Sequence, residues 1–182
     1  MADLFDACLA FTLAQEGGYV DDPADPGGAA NLGITLATLQ HWDHSPTLGP
    51  ADVRDMTRQT AAAIYRALYW NALRGDALPA GVDLSTFDFG VNAGTRRSAE
   101  LLQRVLGLPP DQIDGSVSPE ALRAALAADA AGVIAGLAEH QAAYYRGLPE
   151  FGRFGRGWLD RTERRRQAAL AMLQRDGGTI DV

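Results

Sequence analysis

Apolar side chains recur along this chain at the three- and four-residue spacing of an α-helix, and no run alternates apolar with polar for more than a few residues. A sheet needs one face every second residue. Leu4, Cys8, Phe11 and Gln15, with Phe5 and Leu9 beside them, line up only on a helical surface. The spacing predicts a first helix over about residues 3–16, stopped by Gly17 and Gly18. A polar loop over 19–33 follows, and Thr35 caps a short helix to about Trp42. Residues 43–50 read as a connection. Thr57 opens a long helix, TRQTAAAIYRALYWNAL, closed by Gly75 and Pro79. GVDLSTFDFGVNAG is apolar on nearly every side and reads as a central buried helix. Residues 95–107 form the next helix, with Pro109 and Pro110 as a firm break. Ser118-Pro119 then opens EALRAALAAD as N-cap and first helical residue. Two last helices, about 130–147 and 157–174, flank a connection, PEFGRFGRG. The expectation is an all-α fold, with room for a minor hairpin after the first helix.

At 182 residues and 47% hydrophobic, the chain suits one compact domain, or one with a small appended subdomain, and disorder is not expected beyond the last few residues. The net charge of −7 hides an asymmetry: residues 1–95 carry 12 acidic and 4 basic side chains, residues 96–182 carry 11 and 12. All 16 basic residues are Arg. An acidic chain repels phosphates, which argues against nucleic acid as a partner. Arg161, Arg164, Arg165 and Arg166 read as a solvated helix face, interrupted by Asp160 and Glu163. Cys8 is the one cysteine and reads as a small buried hydrophobe. His41, His44 and His140 are scattered, with no Cys/His cluster at metal-ligand spacing, so no metal site is expected. No segment has the length to insert across a membrane. The N-terminus lacks the basic region of a Sec signal, and Asp3 and Asp6 interrupt it. Synthesis in the cytoplasm is therefore expected, with a separate route for any export.

The chemically informative stretch is QEGGYVDDPADPGGAANLGIT, residues 15–35. Glu16 falls in the last turn of the first helix, where unpaired carbonyls carry about half a negative charge. A carboxylate is disfavoured there and the neutral acid favoured, which suits a group that must hand a proton to a leaving glycosidic oxygen. Asp25 lies nine residues on, in a loop able to fold back beneath that helix end. It is the first choice for a second carboxylate, with Asp22 and Asp21 as alternatives. Carboxyl separations of about 5–5.5 Å imply retention of configuration and about 6.5–9.5 Å inversion, a distance the sequence leaves open. Taken singly, each feature also has a plain reading. Glu16 could be a solvated helix end, the aspartates turn residues, Asn31 a turn residue and Thr35 an N-cap.

Jointly, E-G-G-Y, D-D-P-A-D-P-G-G and N-x-G-I-T resemble the signature of glycoside hydrolase family 108, the N-acetylmuramidases that include secretion-activating lysozymes. The resemblance continues in order through AAAIYRALYW, LPAGVDLSTFDFGVNAG, LLQRVLG, DGSVSPEALRAAL and FGRFGRGW. It implies a lysozyme-like α domain over 1–107 and a helical peptidoglycan-binding segment over 108–182. Glu16 then becomes the essential catalytic residue. The implied substrate is the peptidoglycan glycan strand, cut at the β-1,4 bond between N-acetylmuramic acid and N-acetylglucosamine. Tyr19 would stack on or border a sugar, with Asn31 and Thr35 among the substrate-binding positions. V-N-A-G at 91–94 resembles a groove-lining element of goose-type lysozymes, where Asn92 either bonds an N-acetyl group or ends its helix. Tyr65, Tyr69 and Trp70 read as core, and FGRFGRGW as a structural clasp. The family commonly has G-G-x-T-N where this chain has Ala29-Ala30-Asn31, and Ser118 replaces a glycine of D-G-x-x-G-P. Two other functions stay open: a lytic transglycosylase, and a catalytically idle wall-binding scaffold. A monomer is expected, reaching the wall or periplasm through a holin or a non-Sec secretion system.

Overall fold

The computed structural model describes residues 4–21 and 28–177. Among them nine α-helices carry the fold: α1 Leu4–Gln15, α2 Leu36–Trp42, α3 Pro50–Arg54, α4 Arg58–Tyr65, α5 Val82–Ala93, α6 Thr95–Val105, α7 Pro119–Ala127, α8 Ala130–Arg146 and α9 Phe151–Gly177. The sheet among the described residues is one antiparallel hairpin, β1 Ala30–Asn31 with β2 Ile34–Thr35. The chain is thus a mostly all-α, lysozyme-like fold with a minor hairpin after its first helix. Two compact units divide it: Leu9–Leu68, and a second joining the residues up to Cys8 to those from Tyr69 onward.

In the first unit, local hydrogen bonds set the helix ends. Thr35 and Thr57 each sit in extended backbone and accept from the amide three residues on, Thr38 N at 3.2 Å and Thr60 N at 3.1 Å. The helix α3 follows the residues read as a connection; Pro50 starts it and Asp52 accepts from Gly49 N at 2.7 Å. The long helix expected from Thr57 is shorter than the pattern suggested. It leaves α-geometry after Tyr65 and passes into a π turn over Arg66–Trp70. Tyr65 and Trp70 are both fully buried, at a five-residue spacing that a regular helix would place on different faces. A wider turn accommodates both.

The second unit is centred on α5, whose residues Val82 to Gly90 are all buried. Phe5, Trp70 and Phe87 meet edge to face, with ring centroids 5.4–6.0 Å apart. Cys8 is buried there too, as a small apolar side chain. Gly81 opens α5 at φ +81°, and a Cβ on it would come within 2.8 Å of Ile134 Cδ1. Only glycine permits that backbone and that approach.

Two expectations are corrected in this unit. The segment FGRFGRGW is not a connection but the first turns of α9. Its glycines lower helix propensity by about 1 kcal/mol each. Packing offsets that cost: Trp158 stacks on Tyr145 of α8 at 5.3 Å, and Phe154 meets Trp158 at 5.8 Å. The arginine run of α9 is not wholly solvated either. Arg161 and Arg165 turn inward onto the fully buried Asp88 of α5, each at 2.7 Å, while Arg166 pairs with Glu163 at the surface. Arg165 also bonds Gln141 of α8, whose amide donates to Ser85 O at 3.2 Å. Charge alone along the sequence could not show that an aspartate from α5 would face them.

Candidate active site

The site is built at the end of α1. Glu16 N closes the last helical bond to Thr12 O at 3.2 Å, and Gly17-Gly18 release the chain. Val20 then exchanges two backbone hydrogen bonds with Ala30, both 2.8 Å, which seats β1 beside the segment leaving the helix. Leu32 and Gly33 form the two-residue turn of the hairpin, with φ of +52° and +76°. Positive φ at both central residues is the turn geometry that matches strand twist. Glycine at 33 is required twice over. A Cβ there would come to 2.9 Å from Glu16 Cγ and 3.0 Å from its Oε2, besides striking the Tyr65 hydroxyl. The half-buried Glu16 side chain therefore lies against the tip of the hairpin. From α4, the fully buried Tyr65 donates its hydroxyl to Leu32 O at 2.9 Å.

The other expected site residues fall into three groups. Tyr19 is 38% exposed just beyond Glu16, and its hydroxyl donates to Asp21 at 3.1 Å. Partial desolvation, then the Asp21 carboxylate, hold that phenol above its ordinary range. Asn31 and Thr35 are engaged in the scaffold. Asn31 Nδ2 donates to Val53 O at 3.1 Å and Arg54 O at 3.0 Å, tying β1 to the end of α3, and Thr35 caps α2. Asn92 belongs to the other compact unit, is exposed, and donates from Nδ2 to Asp88 O one turn back at 3.0 Å. Asp25 and Asp22 lie outside the described residues. At position 30 the alanine backbone serves the pairing with Val20.

Sequence reasoning missed Gly33 and Leu32 and read Tyr65 as core alone. The signal was present for Tyr65: a buried tyrosine needs a partner for its hydroxyl. Which carbonyl receives it depends on a contact 33 residues away in sequence. Among the described residues no group of three or more His, Cys, Asp or Glu is placed to hold a metal ion. No single described helix is long and apolar enough to cross a membrane; α7 and α8 reach that length only together, across a 117° bend.

A half-buried carboxyl group at a helix end, walled by a glycine turn, can exchange a proton with a ligand oxygen laid beside it. The helical fold that carries it is of the lysozyme-like class. The sequence profile of Glycosyl hydrolase 108 matches residues 9–94, a stretch that contains Glu16, the hairpin and α5. A solved structure described as that of Brucella abortus SagA is 41% identical, with a TM-score of 0.84 over 93% of this chain and 95% of that one. No curated protein shows significant similarity. The chain belongs to glycosyl hydrolase family 108. That membership supports a peptidoglycan-hydrolase role.

Proposed function

We propose that this protein hydrolyses the β-1,4 bond between N-acetylmuramic acid and N-acetylglucosamine in peptidoglycan, with Glu16 as general acid. One observation carries the assignment: Glu16 is the half-buried acid held against the Leu32–Gly33 turn, inside the stretch that matches the family. Its proton goes to the bridging oxygen as the bond to the sugar C1 breaks and positive charge develops on that ring. Asp25 is the proposed second carboxylate, activating water or stabilising that charge. Asp21 is engaged by Tyr19, which supports choosing Asp25 over it. Tyr19, three residues on from Glu16 in sequence, offers an exposed ring for sugar stacking. Residues 108–182 are proposed to bind the wall polymer. The enzyme is proposed to act as a monomer on the wall after passage through a holin or a non-Sec exporter.

The test is digestion of purified sacculi by wild type and by Glu16→Gln, with the soluble products weighed by mass spectrometry. Saccharides with reducing muramic ends are expected from the wild type, and at least about a hundredfold less from the variant. Products lighter by one water, with 1,6-anhydro ends, would make the enzyme a lytic transglycosylase. Binding to sacculi without release of sugars would make it a scaffold.

A further inference from the structure

We infer that Tyr65 is a positioning residue for Glu16, acting through the Leu32–Gly33 peptide; the inference rests on Glu16 being the acid. Three features of the first unit converge on this peptide. The Tyr65 side chain is wholly buried, yet its hydroxyl reaches the hairpin tip and donates to Leu32 O at 2.9 Å. Leu32 sits at φ +52°, a left-handed conformation that a branched apolar residue adopts only when its surroundings hold it there. Gly33, the next residue, has its Cα face against the Glu16 carboxyl group and the Tyr65 hydroxyl together.

The peptide plane links these features mechanically. Leu32 C=O and Gly33 Cα belong to one rigid planar unit, so a hydrogen bond that fixes the carbonyl also fixes the position of the α-carbon. Tyr65 thereby sets the wall on which the acid rests. Its place at the last residue of α4, where the helix opens into the π turn, gives the phenol a rigid mount. Such widened turns recur at functional sites. A tyrosine serving the core alone would need a partner for its hydroxyl, but not one on a strained turn that borders a carboxyl group.

A kinetic comparison tests this on soluble, uncrosslinked glycan strands of alternating N-acetylglucosamine and N-acetylmuramic acid. Tyr65→Phe keeps the ring and removes the donor. Its kcat is expected to fall about tenfold or more, because displacing a reacting group by a fraction of an ångström is costly. KM should stay within about twofold, and cooperative melting should persist. Gly33→Ala, in an exposed turn, is expected to lower kcat at least as far by pushing directly on Glu16. A Tyr65→Phe enzyme with wild-type kcat, or one whose activity falls only in step with its folded fraction, overturns the inference. If that variant loses cooperative melting, Gly33→Ala decides, and unchanged kcat there overturns it. Glu16→Gln separates the two layers. An inactive Glu16→Gln beside a fully active Tyr65→Phe defeats only the positioning role, whereas an active Glu16→Gln defeats the assignment of the acid itself.

Discussion

Asp88 of α5 and Arg165 of α9 meet at 2.7 Å with the carboxylate wholly buried and the arginine 1% exposed. Arg161 completes a fork on the same aspartate, and Gln141 of α8 holds Arg165 from the other side. Three helices are thus joined through one buried charge cluster. Removing one partner strands the others, which typically costs about 3–5 kcal/mol. Asp88→Asn is expected to lower stability by that amount in urea unfolding. A loss below about 1 kcal/mol would show that the cluster contributes little.

Acid should weaken the same cluster. Burial alone would raise the Asp88 pKa, but the charges of Arg165 and Arg161 and their hydrogen bonds outweigh it and hold the group below the ordinary carboxylate range. A folded pKa below the unfolded value of about 3.9 gives stability that is complete above about pH 5 and is lost as pH falls through the folded value. Asp114 acts in the same direction: hydrogen bonds from Gln103 and Ser116 lower it to about 2. The melting temperature should therefore drop steeply between about pH 5 and pH 2. Asp88→Asn should flatten that slope, and an unchanged slope would remove Asp88 as its source.

Asn31 separates scaffold from catalysis. Its side-chain amide donates to two carbonyls at the end of α3. Asn31→Ala is expected to cost about 1–3 kcal/mol of stability while leaving kcat of the folded enzyme within about twofold. A hundredfold fall in kcat without a change in melting would instead place Asn31 on the substrate.

The second carboxylate can be assigned by comparing two neighbours. Asp25→Asn is expected to reduce sacculus digestion about a hundredfold or more, and Asp21→Asn by less than about threefold. Turbidity clearance at equal folded concentration measures both, and the reverse order would move the role to Asp21.

Much of this architecture is local chemistry and could be read along the chain. Thr35, Thr57 and Ser118 mark helix starts because their hydroxyls cap amides three residues on. Gly17-Gly18 marks the end of α1, and the motif around Glu16 carries the resemblance to the family. The π turn after Tyr65 and the helical FGRFGRGW were not legible, since both go against local propensity and are held by packing.

By itself, the sequence determined the helical class and most helix boundaries, because spacing, caps and helix ends act within a few positions. Tertiary structure alone decided that Gly33 walls Glu16, that Tyr65 braces Leu32, and that two arginines of a charged run turn inward onto Asp88. Those pairs stand from 17 to 77 residues apart. A contact across such a distance depends on where whole elements pack, and short-range propensity carries no record of it.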